Sequence, residues 1–426
     1  MKLHIKNGRL IDPANNIDAQ QDVFVADGKV AGIGQAPAGF TADKTIDASG
    51  LVVAPGLVDL SARLREPGYE YKATLESEMQ AAMQGGVTSL LCPPDTDPVL
   101  DEPGLVEMLK HRAKSLNQAH VYPLGALTMG LKGKALTEMA ELTEAGCVGF
   151  SQADEPVLDT TVLLSALQYA KTFDYTVWLR PQDPHLGRHG IAHSGPAASR
   201  LGLSGVPVMS ETIALYTIFE LVRSTGARVH LCRMSSAAGL ELVRAAKREG
   251  LPVTCDVGAH HIHLSDMDIG FFDSNARVNP PFRSQRDRDA IRAALLDGTV
   301  DAICSDHTPV DDDEKLLPFG EASPGATGLE LLLSLSLKWA EDTGATDAIS
   351  KAVAKVTADA ARVARLPAGS LKVGDIADVC IFDPKTRWTV EAKALASQGK
   401  HTPFLGYELS GQVQATIVSG HVAFER

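Results

Sequence analysis

The sequence predicts an α/β chain, a (β/α)8 TIM barrel carrying a small β-sandwich domain built from both termini. Three observations predict it. Eight candidate strands recur between residues 57 and 306, and stretches of helical period lie between most of them. Both ends of the chain instead alternate polar and apolar residues at period two, broken by Gly and Asp turns. Several connections that follow the strands are long, notably 182–208 and 307–326, and a barrel builds its sites from loops on that face.

The elements follow in order. The first fifty residues offer LHIKNGRLID, DVFVADGKVAGIG and TIDASGLVVA, and the last sixty return to the same style in IADVCIFDP, VQATIVSG and HVAFER. Neither end alone buries much surface, so residues 1–53 and 366–426 are expected to form one domain around a barrel of residues 54–365. The barrel strands are LVDLSAR (57–63), VTSLLCP (87–93), HVYPLGAL (120–127), CVGFSQ (147–152), YTVWLRP (175–181), RVHLCRM (228–234), PVTCDVGAH (252–260) and VDAICSD (300–306). ATLESEMQAAMQGG, TTVLLSALQYAKTF, ETIALYTIFELVRSTG and DRDAIRAALLDG are the clearest helices between them. An open doubly wound sheet is the alternative, but no GxGxxG or Walker loop follows any strand.

Composition narrows the function. The chain has 426 residues with 44% hydrophobic and 22% charged, an ordinary globular balance. Its net charge of −13 repels phosphate backbones, which argues against a nucleic-acid binder. No apolar run approaches the ~18 residues of a membrane span, and the N-terminus lacks a signal-peptide core. The six scattered cysteines, with no CxxC pair, read as buried thiols of a cytoplasmic protein.

The residues closing each strand carry the chemistry. Strand one runs into Ser61, Arg63 and Arg65, strand two into Asp95 and Asp97, and strand four into Gln152-Ala153-Asp154-Glu155-Pro156. Strand five ends at Arg180, strand six at Arg233, strand seven at His260-His261, and strand eight at Asp306-His307; Asn279-Pro280-Pro281 follows strand seven. His230 lies three residues before Arg233, an odd separation that puts it on the opposite face of a regular strand.

These segments resemble the dihydroorotases of the amidohydrolase superfamily. The likeness covers nearly the whole chain: LREPG-YEYKAT, NPPFR before DG-T-VDAI-SDHTP, AGSLKVGDIADVCIFDP and HTPFLGYELSGQV. It implies an amidohydrolase-type barrel. Active members carry a zinc site at the mouth, with a His-x-His pair on strand one, a bridging Asp or carboxylated Lys after strand four, a His after each of strands five and six, and an Asp after strand eight. Zinc lowers the pKa of bound water and polarises a carbonyl, and the last Asp moves the proton.

This chain departs from that set. By resemblance the His-x-His pair falls on Ser61 and Arg63, the strand-four acidic pair on Gln152 and Ala153, and the later histidines on Arg180 and Arg233. Asp306 alone matches. A guanidinium has no lone pair and stays protonated. Unit charges 4 Å apart repel by ~4 kcal/mol at an effective dielectric of ~20. The expectation is therefore no metal and no cofactor, with Asp306, and Asp95 or Asp97, answering the arginines, and Asp154 a poor bridge. Of the substrate-binding positions, Arg65, Asn279 and His307 are expected as remnants, while Asp95 and Asp97 replace both loop asparagines.

The resemblance extends to silent dihydroorotase paralogues of some bacteria. These associate with the catalytic chain of aspartate transcarbamoylase, as homodimers within a dodecamer of six plus six chains. It implies a catalytically inactive assembly subunit in pyrimidine biosynthesis. Two alternatives stand beside it: a surviving cyclic amidohydrolase using Asp306 as general base, and an anion sensor whose arginines clamp a carboxylate or phosphate. Against the sensor stands a salt-bridged plug of the same residues. The acidic run Asp311–Glu314 reads as a solvated, mobile loop, and the His-rich stretch 185–193 as ordinary loop.

Overall fold

The computed structural model describes residues 1–426 except residue 158. Parallel strands β1 (Leu57–Asp59), β2 (Val87–Cys92), β3 (His120–Pro123), β4 (Phe150–Ser151), β5 (Thr176–Leu179), β6 (Arg228–Leu231), β7 (Val253–Gly258) and β8 (Ala302–Cys304) form the barrel. The segment Gly125–Ala126 carries β3 on to pair with β4. Closure comes from backbone beyond the formal strands. Arg63 N donates to His307 O at 2.9 Å and His307 N to Ser61 O at 3.1 Å, so three candidate site residues lie on the seam that seals the barrel.

Each strand is followed by a helix: α1 (Leu75–Gln84), α2 (Pro103–Leu116), α3 (Met139–Ala145), α4 (Thr160–Thr172), α5 (Met209–Thr225), α6 (Ala237–Glu249), α7 (Gln285–Asp297) and α8 (Leu332–Glu341). Their starts are specified locally. Thr74 caps α1 and Ser284 caps α7, each through a reciprocal capping box, and Ser236 caps α6 through Gly239 N. Two layers of apolar side chains hold the barrel. Outward residues such as Leu90, Val177, Val229 and Ile303 pack on the helices through Met79, Leu167, Leu240 and Ile291. Inward residues Val58, Leu60, Leu91, Leu124, Trp178, Ala302 and Cys304 fill the interior, which Ala360 and Ala361 close from below. The barrel interior is thus a packed core.

Both chain ends build the adjoining sheets. One sheet has the order 29–33, 23–26, 3–6, 44–47; the other has six strands in the order 421–425, 408–418, 379–389, 52–55, 9–12, 17–20. Their shared core joins Leu3, Ile5, Val25 and Val53 to Val379, Ile381, Ala415 and Ile417, so neither terminus completes it alone. Thr416 Oγ1 donates to Met83 O at 2.7 Å and anchors this layer to the end of α1.

The long loops are structured. Segment 182–208 carries a short parallel pair, Ala192–His193 with Gly205–Val206, and a helix Pro196–Leu201. The acidic run differs from its expected mobility. Asp312–Lys315 forms a helical turn, Glu314 accepts from Lys72 at 2.7 Å, and Asp312 faces His401 at 2.7 Å. Lys315, wholly buried, donates to the carbonyls of Arg277, Ser323 and Gly325 at 2.9, 3.1 and 2.7 Å and pins the loop from within. Among the described residues, no helix is long and apolar enough to cross a membrane.

Candidate functional site at the barrel mouth

Three guanidiniums converge on one carboxylate. Arg63 comes from the end of β1, Arg180 from β5 and Arg233 from β6; their side chains are 5%, 7% and 5% exposed. Arg63 Nη2 donates to Asp154 Oδ2 at 3.2 Å, Arg180 Nε to Asp154 Oδ1 at 3.0 Å, and Arg233 Nη2 to the same Oδ1. Arg180 also reaches the Asp154 carbonyl at 3.1 Å. Asp95 accepts from Arg63 Nε at 2.7 Å, and Asp306 accepts from Arg233 Nη1 at 3.1 Å with Arg63 Nη1 at 3.7 Å. Thr308 Oγ1 takes a further Arg63 hydrogen at 3.0 Å. Three cations meet three carboxylates, so the charges of the cluster balance, while Arg233 Nε is left without a partner.

Protonation follows from burial and neighbours. Burial opposes the charges of Arg63 and Arg233, but Asp95 and Asp154 for the first, and Asp154 and Asp306 for the second, raise both above the ordinary arginine value. Arg180 is lowered, because burial outweighs Asp154 and two other guanidiniums stand close. Burial also works against the Asp154 carboxylate, yet the three guanidiniums hold it well below the usual range. Asp306 is raised, chiefly by burial, with Arg233 and Arg63 opposing.

The backbone that aims these groups is unusual. Arg65, Ala153, Arg233 and Asp306 adopt φ of 62°, 51°, 56° and 49°, the left-handed region that non-glycine residues seldom enter. Such turns cluster where surrounding structure overdetermines a site. They also correct two expectations. The turn at Ala153 swings Asp154 inward to the centre of the cluster, so the carboxylate read as poorly placed has the largest number of arginine partners. β6 ends at Leu231, so strand parity does not extend to Arg233. His230 also faces inward, below the mouth, where it packs on Trp178 with ring centroids 4.2 Å apart and meets Asp256 at 3.1 Å.

Other expected residues take different places. The Ser61 backbone serves closure, while Gln152 turns aside, accepting from Thr128 at 3.0 Å and donating to Leu131 O at 2.8 Å. Ala153 packs with Ala126 and Leu131. Arg65 donates to Pro309 O at 2.9 Å on the rim. Asn279 joins the cluster, accepting from Arg233 at 3.4 Å through its carbonyl and approaching Asp154 at 3.5 Å through its amide. Asp97 is exposed and outside it. His307, expected among the substrate-binding remnants, is wholly buried and turned away: its Nε2 meets Glu78 on α1 at 2.5 Å and its Nδ1 accepts from Gly328 N at 3.1 Å. The physical reason is the seam, which fixes the His307 backbone between β1 and β8 and directs its ring towards α1.

The zinc ion that the family resemblance implies does not fit these residues. A metal needs lone-pair donors, and the converging groups are guanidiniums already joined to the carboxylates between them. His260 and His261 are buried beside Asp306, with His260 Nε2 3.6 Å from it. Burial, with nearby positive charge, pushes both rings down to about 3, so they are neutral. Among the described residues, no three His, Cys, Asp or Glu side chains are arranged to hold an ion, the His-rich stretch 185–193 included.

Known proteins share this architecture. Residues 50–238 match the dihydro-orotase-like family model and residues 210–423 the amidohydrolase family model. A dihydroorotase-like protein of Pseudomonas aeruginosa is 45% identical over 425 residues, covering 100% of both chains. One from Pseudomonas putida is 44% identical over 99% of each, and a dihydroorotase of Geobacter sp. is 41% identical over 100% of each. Among solved structures, the L-hydantoinase of Arthrobacter aurescens superposes with a TM-score of 0.88 at 24% identity, covering 99% of this chain and 96% of its own, a likeness of fold. Identity running end to end, on a barrel of this type, gives the assignment: the chain belongs to the dihydroorotase family of the amidohydrolases.

Proposed function

We propose that this chain is a non-catalytic dihydroorotase homologue that serves as an assembly subunit for the catalytic chain of aspartate transcarbamoylase in pyrimidine biosynthesis. The observation that carries the silent half is the convergence of Arg63, Arg180 and Arg233 on Asp154. The reading takes Ser61, Arg63, Gln152, Ala153, Arg180 and Arg233 as the positions where active members keep metal ligands. Asp306, Arg65, Asp95 and Asn279 are then remnants, and His307 has passed to a structural role. Nothing in the cluster activates water: Asp306 is engaged by two arginines, and each guanidinium is committed to an anion. The partner half rests on the resemblance to silent paralogues.

The test is co-expression with the aspartate transcarbamoylase catalytic chain of the same cell. Co-purification as one complex, with transcarbamoylase assembly lost when this chain is omitted, supports the reading. Independent elution of both chains, with full transcarbamoylase activity, refutes it.

A competing reading is a cyclic amidohydrolase without the family metal site, with Asp306 as base. It is favoured by the relatives named dihydroorotase at about 40% identity and by the raised Asp306 carboxyl. Turnover of dihydroorotate by the pure chain, abolished in Asp306→Ala, would establish it.

A further inference from the structure

Adjoining the cluster, and lined in part by its Arg180, Arg233 and Asn279, lies a cavity of about 210 Å³ between the ends of β5 and β6 and the segment after β7. Its lining is strongly cationic: five arginines, namely Arg180, Arg188, Arg233, Arg277 and Arg283, against the single carboxylate of Glu211. That carboxylate is already saturated. It accepts from Ser235 N and Ser236 N at 3.0 and 3.1 Å and from their hydroxyls at 2.5 and 2.6 Å.

Arg180 and Arg233 turn towards Asp154, but the other three have no carboxylate within ion-pair distance among the described residues. Arg283 is 4% exposed and donates only to neutral acceptors, Val206 O at 2.6 Å and Ser235 Oγ at 3.2 Å, with His193 at 3.4 Å. Asp287, the carboxylate behind it, is engaged by Ala237 N at 2.9 Å and by Ser284 Oγ at 2.5 Å. Arg277 donates to Ile191 O at 3.3 Å, and its carbonyl is fixed by Lys315 at 2.9 Å. Arg188 stands exposed on the 182–208 loop.

The unmet groups point the same way. Buried Arg233 Nε and Arg277 Nε have no partner and can only donate; the Ser210 hydroxyl, able to donate or accept, and the acceptor Gln182 Oε1 are also unpartnered beside them. Buried donors go unpaired rarely and at a cost of ~1–3 kcal/mol each. What the cavity lacks is an acceptor carrying negative charge. We infer that this cavity binds the phosphoryl dianion of a small molecule, held by Arg277 and Arg283 with Arg188 closing from the loop. A guanidinium presents parallel N–H groups that match phosphate oxygens, and the volume suits a small phosphate rather than a nucleotide. The inference is independent of whether the chain is catalytic.

Calorimetry on the full chain at low ionic strength tests it, with inorganic phosphate and methyl phosphate as separate arms and succinate as the carboxylate control. The expected result is saturable one-to-one binding of phosphate, or of methyl phosphate if the ligand is an ester, above that of succinate. Arg277→Gln and Arg188→Gln carry the test, since Arg283 is buried and its loss risks the fold. Arg277→Gln should weaken binding about tenfold or more, the equivalent of one charge-assisted hydrogen bond. Arg387→Gln, on an exposed strand, should leave it unchanged. Absence of saturable heat at millimolar phosphate overturns the inference. So does equal affinity in Arg277→Gln and the parent chain, or preference for succinate.

Discussion

Removing Asp154 isolates what its carboxylate does for the barrel mouth. In Asp154→Ala, Arg63, Arg180 and Arg233 keep their burial and lose their common partner, while Asp95 and Asp306 remain. Stripping one partner from a fully buried ion pair costs ~3–5 kcal/mol, because the remaining charge is left uncompensated. Asp154 is 32% exposed, so water enters the gap and screens the repulsion. The expected loss is therefore at the bottom of that range, about 3 kcal/mol. Asp154→Asn keeps a carbonyl acceptor and should recover about half of it.

Urea unfolding followed by tryptophan fluorescence is the direct assay, because Trp178 lies in the barrel interior beneath the cluster. The midpoint should fall with an unchanged m-value, and far-UV circular dichroism should give the same transition. The pH dependence has a definite sign. The folded carboxyl lies below its ordinary value of 3.8, so its contribution is complete above that value and fades only as pH falls through the lower folded one. The gap between Asp154→Ala and the parent should thus be constant across neutral pH and close in strong acid. A difference under about 0.5 kcal/mol at neutral pH, the level of an ordinary surface substitution, would refute the claim that Asp154 neutralises the cluster.

Three further outcomes follow from the same structure. Glu78→Ala removes the acceptor for His307 Nε2, Ser397 Oγ and Gln398 N, which stitch α1 to the seam and to the C-terminal segment; a loss of about 3 kcal/mol is expected in the unfolding midpoint. His260 and His261 are held neutral with pKa values near about 3 against 6.5 for the free side chain. The unfolded chain therefore binds more protons between these values, so stability is complete above pH 6.5 and declines as pH falls below it; denaturation midpoints from pH 7 to 4 read the slope, and His260→Asn should flatten it. Gly68 has φ of 95°, and a Cβ there would stand 2.1 Å from Asp97 O, so Gly68→Ala should disturb the loop carrying Asp95 and cost about 2 kcal/mol or more in the same assay.

Much of the barrel is legible in the residues because its signals are local. Alternation of apolar strands with period-3.6 helices marks the eight units, and the period-two ends mark the terminal sheets. The hydrogen-bonded strands are shorter than the apolar runs suggest: CVGFSQ yields only Phe150–Ser151, with Val148 and Gly149 pairing singly to Pro123 and Gly125. The arginines at the ends of β1, β5 and β6 are also visible as a set, since barrel topology brings strand ends together. Asp154 is not, because its position depends on a left-handed turn at Ala153 that alanine does not advertise. His230 misleads for a related reason: parity along a strand holds only while the strand lasts, and β6 stops at Leu231. His307 reads as a mouth residue from its neighbours Asp306 and Thr308, but the seam to Ser61 and Arg63 directs its ring to Glu78. The cavity beside the cluster is invisible in one dimension, since Arg188, Arg277 and Arg283 come from two separate loops.

Guanidinium groups paired with carboxylates fill the mouth of this barrel in place of an ion-binding set. Elemental analysis of the purified full chain, after incubation with zinc and gel filtration and alongside a dihydroorotate assay on the same sample, tests this most directly. Zinc should stay far below one equivalent per chain, with no ring opening above the rate in buffer. One tightly held zinc per chain, whose removal by chelator abolishes measurable hydrolysis and whose return restores it, would contradict the account.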